Sequence, residues 1–126
     1  MNLRLRNHRS PFFRVFKSMH SPHDSAPIYS SMESDPDLLD LIVMYVEDAR
    51  DFMEQLTSAF NQKSWSDLAS IAHQVKGSAG SHGFQQVTEA AKQLERSCIE
   101  IRLPDQIEQE LHVLLNLLGR LQVSTA

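Results

Sequence analysis

Between Leu38 and Leu121 apolar residues recur at helical spacing in successive stretches, with polar residues filling the intervals. The first stretch opens at Ser34-Asp35-Pro36-Asp37, where Asp35 can cap a helix and Pro36 suits its first position. Its stripe runs through Leu38, Leu39, Ile42, Tyr45, Val46, Ala49, Phe52, Met53, Leu56 and Phe60 to about Gln62. Glu47, Asp48, Asp51 and Glu54 fall on the solvated side. The pattern fits one long helix, or a short one running into a longer one. Leu41, Val43 and Met44 widen the apolar arc in its first half, which predicts packing across the end of a bundle, with a partner surface as the other reading.

Asn61-Gln62-Lys63 is a turn, and Ser64-Trp65-Ser66-Asp67 resembles a capping box with Asp in place of Glu. A second helix carries Leu68, Ile71, Ala72, Val75 and Ala79 on one face and runs to about Gly80, where Ser81-His82-Gly83 breaks it. Trp65 reads as a packing anchor at its start. Phe84 opens a third helix with the stripe Val87, Ala90, Ala91, Leu94, Cys98 and Ile101. Pro104 starts the last, with Ile107, Leu111, Leu114, Leu115, Leu118 and Leu121. Short connections favour antiparallel neighbours. The expected fold is therefore all-α, an antiparallel up-down-up-down four-helix bundle with an additional short or continuous N-terminal helix. No strand signal and no internal repeat is visible. Residues 34–126 form the domain, and residues 1–33, rich in Ser, Pro and His without sustained periodicity, read as a basic, disordered tail.

His73 stands off the second helix's apolar stripe, roughly 140° from its centre. On the same outer face lie Ser66, Ser70, Gly77 and Gly80, all small. Each glycine inside a helix costs about 1 kcal/mol relative to alanine. What that sacrifice allows is close approach of another molecule to the imidazole. Lys76 neighbours the histidine on the helix surface.

The run Ala72-His73-Gln74-Val75-Lys76-Gly77-Ser78-Ala79-Gly80, with Gly83 six residues after Gly77, resembles the histidine-containing phosphotransfer (HPt) domain of two-component phosphorelays. The resemblance extends over about Asp35 to Val123 in helix number and spacing. It implies that His73 is the phosphoacceptor, that Lys76 stabilises the phosphoryl group, and that Ser66, Ser70, Gly77, Gly80 and Gly83 belong to the partner-binding face. Exposed imidazole suits the task, since with an ordinary pKa of about 6.5 it keeps a free lone pair at neutral pH. Phosphorylation then adds close to two negative charges, which an ammonium can partner. Among further polar residues, Gln93 and Glu95 on the third helix are the candidates to stand near the histidine, with no role assigned to either.

No phosphate loop, Walker motif or kinase signature is present, so the resemblance implies a carrier without catalytic activity of its own. Its implied partners are response-regulator receiver domains and a hybrid histidine kinase, with Mg2+ bound by the partner receiver and no cofactor on this chain. A phosphorylation-independent adaptor using the same face is the alternative. A metal-binding bundle is a third reading, invited by six histidines but lacking the Glu-x-x-His pattern of di-metal bundles. His82 reads as a turn or helix-end residue and His112 as a structural one at the edge of the last stripe.

Charge is unevenly spread: residues 1–20 carry +5 and the remainder −9. The acidic domain argues against nucleic acid as a partner. Cys98, the only cysteine, excludes an internal disulfide, fits a reducing cytoplasm and reads as a buried structural thiol. No apolar run reaches the length of a membrane span, and a monomer is expected. For the basic N-terminus a surface-binding tail, an organelle transit segment and a true start at Met19 or Met32 all stay open.

Overall fold

In the computed structural model, residues 25–124 are described, and expectations for residues 1–24 lie outside them. Four helices account for most of this length. The first, α1 (Pro36–Asn61), is one continuous helix, and the oxygen of Asp35 accepts the Asp37 N–H at 2.9 Å with Pro36 at the first position. Its end is closed by the Ser64 N–H bonding Ala59 O at 3.0 Å, with Lys63 in a left-handed conformation. Helix α2 spans Trp65–Ser81. The expected capping box does not form: Ser64 is the capping residue, but its side chain bonds no helix N–H. Its backbone is already fixed by the closure of α1, so the two helix ends share one residue.

Helix α3 covers Gln85–Arg96 and continues into a π-helical turn, Ser97–Ile101, before Pro104 starts α4 (Pro104–Leu118). Helix α2 packs on α3, α3 on α4, and α1 on both α2 and α4. The shared core holds Leu56, Leu68, Val75, Phe84, Leu94 and Leu111, all essentially removed from water. No helix among the described residues is long and apolar enough to cross a membrane.

Two expectations need correction. The chain does contain strands: β1 (Ile28–Tyr29) pairs in parallel with β2 (Leu121–Gln122), with Ile28 opposite Leu121. Strands of two residues are too short for alternation to register in a sequence. Leu121, placed on the last helical stripe, is buried on β2 instead. The pairing also shows that residues 28–33, assigned to the tail, lie against the helices. Ile28 and Ser30 are buried, Ser30 Oγ donates to His82 O at 2.6 Å, and the Ser31 N–H bonds Gly83 O at 3.0 Å. Secondly, Leu41 and Met44 are more than half exposed rather than packed. Helix α1 is about 39 Å long against about 22 Å for α4, so part of its length has no stretch of the shorter helix to pack on.

The β1 segment is expected to matter for stability. A chain starting at Met32 loses the burial of Ile28, worth about 2 kcal/mol, and the Ile28 N–H bond to Arg120 O at 2.8 Å. Thermal unfolding should show it melting about 10–20 °C below a chain starting at Asp24, from a total loss of about 2–4 kcal/mol. Equal melting temperatures would show that the strand pair contributes nothing.

Candidate functional site

Helix α2 buries Leu68, Ala69, Ala72, Val75 and Ala79 and turns the opposite face outward. His73 stands on that face with its side chain 66% exposed. Across the α2–α3 seam, Glu95 at the end of α3 reaches both His73 and Lys76. Its Oε2 lies 2.9 Å from His73 Nδ1 and its Oε1 2.8 Å from Lys76 Nζ. An ionised carboxylate can only accept, so Nδ1 carries a proton and donates it to Glu95. In the neutral form of the ring, the other nitrogen, Nε2, then keeps its lone pair.

Burial of Glu95 by itself opposes its charge and raises its pKa, but the hydrogen bonds and charges of Lys76 and His73 outweigh this. The carboxyl is held below its ordinary value. A carboxylate lowered in the folded state stabilises the fold above its unfolded pKa, near 4.5, and the contribution fades as pH falls through the lower folded value. Between pH 5 and pH 3 the wild type should therefore lose more stability than Glu95→Gln, whose amide does not titrate. Urea unfolding across that range measures the difference, and parallel losses would mean that the Glu95 bridge is not formed in solution.

Of the residues assigned to the partner-binding face, Ser66 and Ser70 line a shallow cleft of 440 Å³ with His73, Trp65 and Ile99. Gly77 is open, since a Cβ there would meet nothing within 4 Å. Two glycines do not belong with them. A Cβ on Gly80 would stand 3.1 Å from Thr88 Oγ1, so this glycine admits α3, whose Thr88 hydroxyl donates to Lys76 O at 3.0 Å. Gly83 has φ +83° and closes α2, with Ser30 and Met32 occupying the space of a side chain. Its neighbour Phe84 donates its N–H to Ala79 O at 2.9 Å, completing the closure.

Glu95 is the residue whose role the sequence left unassigned. A signal was available: relative to the buried stripe Val87, Ala91 and Leu94, Glu95 lies roughly 75° from the centre and Gln93 roughly 125°. Only the first can flank the seam with α2, and Gln93 is exposed.

The remaining candidates are structural. His82 follows α2, its Nδ1 bonding Ser78 O at 2.6 Å and its ring stacked on Tyr45 with centroids 4.5 Å apart. His112 is buried, and desolvation pushes its pKa down. Cys98 is buried too; burial first, then the charges of Glu110 and Glu95, push its thiol up to about 11, far from a reactive thiolate. Trp65 packs obliquely on Phe60, with centroids 5.8 Å apart, while its edge lines the cleft. Among the described residues no three His, Cys, Asp or Glu side chains gather as metal ligands.

An exposed imidazole, an ammonium one turn away from it and an open glycine stand together on the outward face of α2. Comparison with curated proteins and with solved structures finds no match. The model of one family, the Hpt domain, matches residues 40–124, a stretch that contains the whole His73–Lys76–Glu95 site. The chain belongs to the Hpt domain family, the phosphocarrier modules that serve as phosphotransfer intermediates in two-component signalling and interact there with receiver domains and kinases.

Proposed function

We propose that this domain is a phosphorelay carrier in which His73 Nε2 takes a phosphoryl group from the aspartyl phosphate of a receiver domain, or from a hybrid histidine kinase. It then passes the group to another receiver aspartate. The observation that carries this reading is the Glu95 carboxylate, which accepts from His73 Nδ1 and pairs with Lys76 Nζ. In the transfer the Nε2 lone pair forms the N–P bond as the P–O bond to the aspartate carboxylate breaks. The leaving carboxylate departs with that electron pair, and the Nδ1 proton stays on the ring, shared with Glu95.

Each remaining residue has a part. Lys76 Nζ divides its charge between Glu95 and the arriving phosphoryl oxygens. The negative charge of Glu95 keeps the phosphohistidine a ready donor instead of a sink. Gly77 leaves room for the partner to close over the bond. The partner receiver supplies Mg2+ and the acceptor aspartate, which is why a chain without a phosphate loop can take part. In this reading the four helices alternate up and down as an antiparallel bundle, and the protein works as a cytoplasmic monomer.

The test is to incubate the protein with a receiver domain charged by radiolabelled acetyl phosphate. Label that is acid-labile, base-stable and mapped to His73 by mass spectrometry supports the reading. Absence of label, or label on another residue, rejects it.

A further inference from the structure

The cleft beside His73 is lined also by Ser70, Ile99 and Arg102. The charge along it is unevenly committed. Lys76, the ammonium next to the histidine, is paired with Glu95 at 2.8 Å, so with a neutral ring the three side chains together carry no net charge. Arg102 lines the same cleft, is exposed, and forms no ion pair among the described residues. Its backbone is left-handed, with φ +57°, an uncommon conformation for a residue bearing a side chain. The Arg102 N–H bonds Ser97 O at 2.7 Å and closes the π-helical turn that ends α3. Such turns recur at functional sites. Here the turn places Ile99, also exposed, and Arg102 in the lining of the cleft, so that an apolar contact and a cation without an ion pair among the described residues share it with His73.

A partner that presents an aspartyl phosphate with its metal-binding carboxylates offers an acidic rim. Guanidinium is the side chain whose fork fits a carboxylate with two parallel bonds. We propose that Arg102 is a specificity-determining docking residue: its guanidinium pairs with a carboxylate on the rim of the partner's active site and seats that partner along the Ile99 side of His73. The proposal rests on the reading of His73 as the phosphoacceptor.

The test uses the full chain and a hybrid-kinase receiver domain charged with acetyl phosphate, with the concentration of charged receiver varied. Arg102→Ala and Arg102→Gly should each raise the half-saturating concentration about tenfold at low ionic strength, with the maximal transfer rate within about twofold. At about 0.5 M salt the difference should shrink below about twofold, because an exposed pair is screened, and Arg102→Lys should recover part of the loss. The glycine variant separates docking from backbone support, since glycine takes φ +57° without strain. A defect confined to Arg102→Ala, or a fall in maximal rate at unchanged half-saturation, overturns the proposal. So does saturation of Arg102→Gly identical to wild type. If the wild type carries its label elsewhere than on His73, the phosphoacceptor reading fails first and this one with it, an outcome distinct from loss of the Arg102 effect alone.

Discussion

His73→Gln is expected to reduce phosphoryl labelling to background while leaving the helices and the melting temperature unchanged. The side chain at this position is 66% exposed and belongs to no part of the core, so its replacement removes no packing. Glutamine is at least as good a helix former as histidine, and exposed substitutions of this kind fall within about 0.5 kcal/mol. Its amide N–H can still donate to Glu95. What glutamine lacks is a nucleophilic nitrogen, because the amide lone pair is delocalised into the carbonyl. The variant thus keeps shape, charge and the Glu95 contact and removes only the lone pair. His82→Gln is the matched control: that ring is tied to Ser78 O and stacked on Tyr45, so labelling should persist. Label retained by His73→Gln, or lost equally in both variants, would assign the phosphoacceptor elsewhere or reduce the loss to unfolding.

Much of this could be read from the order of residues, and the exceptions share a cause. The four helices and most of their buried stripes follow from apolar spacing, because a helix of 12 to 26 residues repeats its signal several times. His73 was legible for the same reason: it is displaced from a clear stripe and flanked by small residues. The β1–β2 pair was not, because Ile28 and Leu121 are 93 positions apart and neither strand is long enough to show a period. Glu95 was narrowed to one of two residues and no further. Its role depends on how two helices face each other across a seam, and a single helix does not encode that. The three motif glycines look alike in sequence. Only the coordinates separate the one that faces solvent from the one that admits Thr88 and the one that turns the chain.

That separation leads to the second large effect, a pair of glycine substitutions with opposite signs. Gly83→Ala should destabilise the domain by about 2–4 kcal/mol, lowering the melting temperature by about 10–20 °C. About 1 kcal/mol comes from placing a Cβ on a backbone with φ +83°. The rest comes from collision with Ser30 Oγ and Met32, which forces apart the contacts tying β1 to the end of α2. Gly77→Ala should do the reverse, since the added methyl meets nothing and an exposed helix interior gains about 0.5–1 kcal/mol on exchanging glycine for alanine. Its melting temperature should rise by a few degrees. The cost of the bare helix surface then appears in transfer: Gly77→Trp, whose Cβ meets nothing within 4 Å and whose exposed position lets the ring turn to solvent, should fold normally and yet block phosphoryl exchange with a charged receiver. Gly83→Ala, compared at a temperature where it remains folded, should exchange at a near wild-type rate, because its side chain faces Ser30 and Met32 and not a docked partner. If Gly77→Ala proved as damaging to the fold as Gly83→Ala, the outward face of α2 would have to be packed against something, and the space left beside His73 could not be kept for a partner.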